Sequence, residues 1–316
     1  MTSKPAVGAA FATITGLAWG GQFVVGKSAL SRLDAFHLNA VRYFVASAVL
    51  LAVLAAVEGR RSLRLDGRGL RLLSLGTIGF AGFNLLAYTG LAHARPQSAA
   101  LIIALGPLLT AVVLWLKSRI RPARTTLAAL VVALAGVALV ISAGHPESIF
   151  TGAIGWGDLL VLGGALSFVI YTIGAAEFRS FSPLRFTAIT AALGWPAIAL
   201  GAVVATATGL EPEPSVGAFT AVWPQLAYIT LIGAVIAVVT WNGAVSIIGP
   251  QNAALFGNLI PVTTFAIEIV RGYRPGTVEI LGALITIGAL VAANMLTRRR
   301  APRLVVEDDV GLAEAA

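Results

Sequence analysis

"PQSAAL" runs from Pro96 to Leu101, and "PQNAAL" runs from Pro250 to Leu255. The likeness extends past six letters. Pro107 in "ALGPLLT" and Pro261 in "NLIPVTT" stand at the same distance from their hexamers, and "RIRP" and "GYRP" close the two stretches. A weaker echo links "LAWGGQFVVGKSALSRLDAF", from Leu17, with "LSFVIYTIGAAEFRSFSPLRF", from Leu166. Prolines, glutamines and loop lengths agree together, so the chain reads as one unit written twice.

The solvent of that unit follows from composition. Hydrophobic residues make up 58% of the 316 residues, charged residues 11%, and the mean hydropathy is +0.89. A soluble domain holds about 45–50% and about 25%. This much apolar side chain belongs in lipid, where a spanning helix needs about 20 residues. Ten runs qualify as expected spans: 7–28, 36–57, 70–92, 98–117, 123–142, 153–175, 184–206, 224–247, 253–271 and 276–296. The first is too long for the core of a cleaved signal. The expected fold is an all-α integral membrane protein. It comprises a five-helix repeat (1–142), a periplasmic linker (143–152), a second repeat (153–296) and a flexible cytoplasmic tail (297–316). Five is odd, so the second copy enters the membrane from the opposite face and the repeat is inverted.

Charge sets the orientation. With the N-terminus inside, 16 of the 22 Lys and Arg fall on cytoplasmic segments and five outside, with Arg42 within the second span. Positive residues favour the cytoplasmic side, so both termini are expected there. The net charge of +8 is thereby a topology signal and not a nucleic-acid footprint. No cysteine is present, and His37, His93 and His145 are far apart in sequence. Neither redox chemistry nor a metal site is expected, and no cofactor.

One formal motif is set aside. Gly21-Gln-Phe-Val-Val-Gly26-Lys27-Ser28 matches the phosphate-loop pattern, but that chemistry needs a strand, a loop and a helix N-terminus. Here the match ends a spanning helix, so no nucleotide is expected and Lys27 snorkels to the interface.

Polar residues within spans are costly in lipid and mark function. Trp19 and Gln22 share a face of the first helix with Thr15. Asn84 and Tyr88 share one of the third with Ser74 and Thr77, and Ser167 and Tyr171 one of the sixth. Trp241 and Asn242 lie toward the inner end of the eighth, and Asn258 and Pro261 lie in the ninth. Tyr88 aligns with Asn242 in the repeat. Rings, amides and hydroxyls together suit a small ligand with an apolar body and a polar end. We expect these nine residues (Trp19, Gln22, Asn84, Tyr88, Ser167, Tyr171, Trp241, Asn242 and Asn258) to line a substrate site. Pro107 and Pro261 each remove a helical hydrogen bond mid-span and are the expected hinges. No ionised residue is expected at the centre, since Arg42 lies only about two turns into its helix.

The chain resembles the drug/metabolite transporter superfamily, in its ten-helix EamA-type branch. "GLAWGGQFVVGK", "GLAHARPQSAALIIALGPLLTAVV", "GDLLVLGGALSFVIYTI" and "GPQNAALFGNLIPVTTFAIE" carry the likeness. Within the branch it is most similar to bacterial exporters of aromatic amino acids that also handle paraquat-like compounds. The resemblance implies an inner-membrane carrier for small neutral metabolites, aromatic and other large neutral amino acids foremost, working by alternating access. Its partners are then the bilayer and the small molecule, with a monomer as the expected state. The alternative is a cationic-drug exporter of the same fold. Many relatives carry "GE" at the ends of the fourth and ninth helices. This chain has "WLKSRIRP" and "EIVRGYRP" there, so that glutamate's role is not carried over to Glu268. A membrane enzyme would need clustered acidic or histidine partners, which the arginine-rich loops do not offer.

Overall fold

The computed structural model describes residues 4–119, 121, 124–142, 155–175, 177–249, 252–253 and 256–300. Every regular element among them is helical. We number the main helices α1 (Lys4–Ala29), α2 (Ala35–Val57), α3 (Gly69–His93), α4 (Pro96–Ala104), α5 (Gly106–Ser118), α6 (Arg124–Ile141), α7 (Trp156–Ala175), α8 (Pro183–Ala207), α9 (Trp223–Ile248), α10 (Leu259–Val270) and α11 (Thr277–Arg300).

Six of these (α1, α2, α3, α7, α8 and α9) are long and apolar enough to cross a bilayer. They fall on expected spans one to three and six to eight. The joined α4 and α5 make a seventh, bent by 43°, at the fourth expected position. The shorter apolar stretches Leu127–Ile141, Leu259–Val270 and Thr277–Ala289 lie at the fifth, ninth and tenth. The ninth falls short because turn residues Gly257 and Asn258 interrupt it just before α10. Helix α11 continues through residues 297–300, which the sequence assigned to a tail. The linker 143–152, the tail from 301, and Pro250, Gln251, Ala254 and Leu255 of the second hexamer lie outside the described residues.

Both prolines of the repeat sit in the first turn of a helix that follows a break. Pro107 opens α5 after the bend at Leu105, and Pro261 lies in the first turn of α10. The missing N–H is harmless there, because first-turn N–H groups have no helical partner.

Two further features recur. Within α3, Thr77–Gly82 is π-helical, and within α9, Tyr228–Ile236 is. Gly82 stands to Pro96 as Ile236 stands to Pro250. Helices α2 and α8 both start on a side-chain cap. Asp34 accepts from the N–H groups of Phe36 and His37, and Ser182 from that of Arg185. A cap of this kind satisfies one or two orphaned donors at the helix start.

The packing is self-consistent under exchange of the two halves. Helix α2 packs on α8, and α6 on α11; α1 packs on α9, as α7 does on α3. Helix α1 also packs on α10, as α7 does on α4 and α5. In lipid, such contacts depend on small residues that let backbones approach. A Cβ on Gly136 of α6 would lie 2.6 Å from the carbonyl oxygen of Gly282 in α11, and one on Gly282 would lie 2.7 Å from that of Gly136. Gly16 and Gly20 serve α1 likewise. A Cβ on either would lie 2.8 Å from a carbonyl oxygen, that of Phe256 and that of Ile260 respectively.

Ion pairs tie the loops at the face where α1 begins. Arg71 holds Glu177 at 2.8 Å, with Lys117 at 3.6 Å, and Arg185 holds Asp66 at 2.7 Å. At the opposite face Arg95 pairs with Glu279 and donates to the carbonyls of Val140 and Ile141. Tyr273 donates to Glu279 at 2.7 Å. Lys27 does not end at an open interface. Its Nζ donates to the Leu91 and Ala92 carbonyls, 2.8 Å each, at the end of α3.

Two outcomes follow from these contacts. Gly136→Leu should lower the melting temperature of detergent-purified protein by several degrees, the effect of about 1–3 kcal/mol of overpacking. Gly288→Leu, where nothing lies within 4 Å, should leave it unchanged. The Arg71 guanidinium holds the Glu177 carboxyl below the usual carboxylate range. The pair therefore contributes in full above the ordinary carboxylate pKa and is lost as pH falls through the lowered value. Both partners are about half exposed, so Glu177→Gln should cost little at pH 7, and that cost should vanish in acid or at high salt.

Candidate functional site

Midway along the bundle the two halves enclose a cavity of about 70 Å³. From the first half, Trp19, Gln22 and Phe23 (α1), Arg42 and Tyr43 (α2), Gly79, Phe80, Phe83 and Asn84 (α3) and Ile103 (α4) line it. From the second half come Phe168 (α7), Gly233 and Val238 (α9) and Ile260 (α10). Five aromatic side chains beyond Phe23 thus surround a small polar group. At roughly 10–15 Å³ each, about five water molecules would fill the space; an amino acid would not fit without movement.

The polar group is built around Arg42. The residue is 1% exposed. Nε donates to the Ile229 carbonyl at 2.9 Å, and Nη2 donates to Gln22 Oε1 at 2.7 Å. Nη1 donates to Asn84 Oδ1 at 3.0 Å and to Asn39 Oδ1 at 3.3 Å. The rings of Tyr43 and Tyr88 each lie 5.0 Å from the guanidinium carbon. The amides are themselves held: Asn84 Nδ2 donates to the Phe80 carbonyl and Asn39 Nδ2 to that of Ala35. A buried charge survives only when hydrogen-bonded. Here four neutral oxygens and two rings do the work, and no carboxylate lines the cavity. The expectation of an uncharged centre is therefore corrected. Arg42 starts two turns into α2, but its long side chain carries the charge to the middle.

An aromatic cluster borders the cavity. Trp19 meets Phe168 edge-on at 5.4 Å between centroids and Trp241 at 5.5 Å, and Phe168 meets Phe83 at 5.3 Å. Trp19 Nε1 donates to the Gly233 carbonyl at 3.1 Å.

Of the nine expected site residues, Trp19, Gln22 and Asn84 line the cavity. Tyr88 stands behind it, its ring against Arg42 and Gly26. Tyr171 and Asn242 form a second buried polar cluster with α8. Asn242 Nδ2 donates to Thr187 Oγ1 at 2.6 Å and approaches the Tyr171 hydroxyl at 3.4 Å, which in turn lies 3.4 Å from Thr190 Oγ1. Ser167 donates to its own helix at Gly163, beside Gly82. Trp241 is in the aromatic cluster with its Nε1 unpartnered, and both amide atoms of buried Asn258 lack partners. None of these six lines the cavity.

Aligning the starts of α2 and α8 puts Arg42 opposite Thr190 and Asn39 opposite Thr187. The echo between α1 and α7 puts Gln22 opposite Tyr171 and Trp19 opposite Phe168. The two polar clusters thus occupy matching positions of the two halves, one charged and one neutral. The sequence reading missed Arg42, Tyr43, Phe80, Phe83, Phe168 and Gly233. A signal for Arg42 was present: an arginine in an apolar run with Asn39 one turn before it and no acidic partner nearby in sequence. Among the described residues, no three His, Cys, Asp or Glu side chains are grouped as metal ligands would be.

Known proteins resemble the chain over most of its length. An uncharacterized transporter of Bacillus subtilis, YrdR, is 28% identical over 96% of this chain and 96% of its own. A second from the same organism, YyaM, is 29% identical over 88% and 90%, and an uncharacterized transporter of Archaeoglobus fulgidus is 27% identical over 88% and 93%. A solved crystal structure superposes with a TM-score of 0.67 over 93% of this chain and 98% of its own, at 21% identity, and so shares the fold. Residues 6–142 and 155–295 both match the EamA-like transporter family. With its apolar helices, this multi-pass membrane protein belongs to that family.

Proposed function

We propose that the chain is an inner-membrane carrier that exports large neutral amino acids, aromatic ones foremost, by alternating access. Ten spans form two inverted five-helix units, both termini are cytoplasmic, and the carrier works as a monomer. The recurrence of hexamer, proline, π segment and helix cap supports the repeat, as does packing that survives exchange of the halves. The Lys and Arg asymmetry supports the orientation. A site between halves near the middle of the bundle is where such carriers bind substrate. Residues Pro107 and Pro261, each just after a helix break, are the hinges of the two units.

The lining of the cavity carries the substrate reading. Trp19, Tyr43, Phe80, Phe83 and Phe168 offer ring faces and edges to an apolar or aromatic side chain. The single charge among them is positive. That arrangement favours a substrate with an anionic group and opposes a cationic drug. Glu268, the acidic residue a drug exporter would need, pairs with Arg271 at 2.9 Å and does not line the cavity.

Efflux and counterflow of labelled amino acids in proteoliposomes test the reading. Saturable, competitor-sensitive movement of phenylalanine, tryptophan or leucine is expected. Movement of a cationic dye and of no amino acid would replace it with the drug exporter. Within the site, Phe168→Ala should raise the KM for phenylalanine about two- to tenfold, the weight of one or two aromatic contacts. An unchanged KM would remove Phe168 from the substrate's path.

A further inference from the structure

We infer that Arg42 is the carboxylate anchor of the substrate and, in the empty protein, a latch between the two halves that substrate releases. The inference rests on the carrier reading above and adds what the substrate must possess and what it does on binding.

The guanidinium has two edges that can take a carboxylate bidentately. The edge formed by Nε and Nη2 is occupied by two oxygens of different origin, the Ile229 carbonyl and Gln22 Oε1. These stand where the two oxygens of a bound carboxylate would stand. One belongs to the second half of the chain, within its π segment, and the other to α1. The protein thus mimics a ligand with groups from both halves. Glycine at 233, a residue that lines the cavity, leaves the room in which Gln22 Oε1 reaches this edge. A Cβ there would lie 3.4 Å from Nη2 and collide with Gln22 Oε1. A carboxylate that displaces Gln22 Oε1 at Gly233 would meet this edge.

Exchange of the two neutral oxygens for a carboxylate strengthens the bonds, since ionised pairs are about twice as strong as neutral ones. It also changes what the charge depends on. In the empty protein the Arg42 charge is satisfied by an oxygen across the interface, so moving the halves apart strips a buried cation of a partner. In the loaded protein the carboxylate travels with the guanidinium, and Ile229 and Gln22 are free to separate. The loaded carrier therefore reorients faster than the empty one, and exchange outpaces net efflux. The opposite edge keeps Asn39 and Asn84 throughout, which fixes the fork in place. An amine without a carboxylate can neither displace the mimic nor neutralise the charge.

Binding and flux test the two parts separately. Purified protein is titrated with 3-phenylpropionate, phenylalanine, phenylalaninamide and phenethylamine, with tryptophan fluorescence as the readout. The two acids should bind, and the amide and amine should bind about tenfold or more weakly, the loss of one charge-assisted bond or more. Arg42→Gln should abolish the preference. Arg42→Lys, which keeps the charge without the fork, should retain only part of it. Equal binding of acid and amine by the unaltered protein would overturn the anchor, and needs no variant to fold. In proteoliposomes, phenylalanine on the far side should accelerate labelled phenylalanine efflux severalfold, and equal rates would overturn the latch. Arg42-dependent binding of acids without any amino-acid flux would instead sink the exporter reading and leave the anchor standing.

Discussion

A guanidinium stays charged inside proteins, and one buried in the middle of a membrane bundle must be solvated by the protein itself. That requirement organises the centre of this molecule. It fixes the rotamers of Gln22, Asn39 and Asn84, recruits the Ile229 carbonyl, and brings the Tyr43 and Tyr88 rings against the charge. Remove any one of these and the others hold a cation that is less well satisfied, at a cost well above that of an ordinary hydrogen bond. The amide oxygens of Gln22 and Asn84, which line the cavity, are thereby engaged with Arg42.

The matching positions of the second half solve a different problem. Tyr171, Thr187, Thr190 and Asn242 are neutral and satisfy one another without a charge among them. Positions that match between residues 6–142 and 155–295 thus carry different chemistry. One half binds the charge; the other supplies hydroxyls and an amide that hold α7, α8 and α9 together near the face where α1 begins. Loop ion pairs around Glu177 and Arg185 reinforce the same face.

The sequence made the framework legible and the site only in part. The long apolar helices and the helix breaks announce themselves because lipid forces long apolar runs and because Pro107 and Pro261 each follow a break in the helix. Trp19, Gln22 and Asn84 were found because polar groups in such runs are rare. Arg42 was passed over because position along a helix says where a Cα sits and not how far an arginine reaches. Tyr171 and Asn242 were placed in a cavity because their hydrogen-bond partners, Thr187 and Thr190, are on another helix. The face drawn through Ser74, Thr77, Asn84 and Tyr88 assumed a regular α-helix. It crosses the π segment Thr77–Gly82, where the phase changes: Asn84 and Tyr88 are buried, while Ser74 and Thr77 are only partly so.

That change of phase makes helix length as binding as side-chain identity. Each residue of an α-helix turns the chain by roughly 100°. Loss or gain of a single residue in the regular winding before Thr77 would rotate everything on one side of it, and Asn84 would swing away from Arg42, whereas the π segment turns less per residue and takes up one residue more than regular winding would. The same holds in α9, where Ile229 and Gly233 belong to the π segment that ends at Ile236. Outside their π segments these two spans should thus accept many substitutions over time but scarcely any insertion or deletion, the reverse of what surface loops allow.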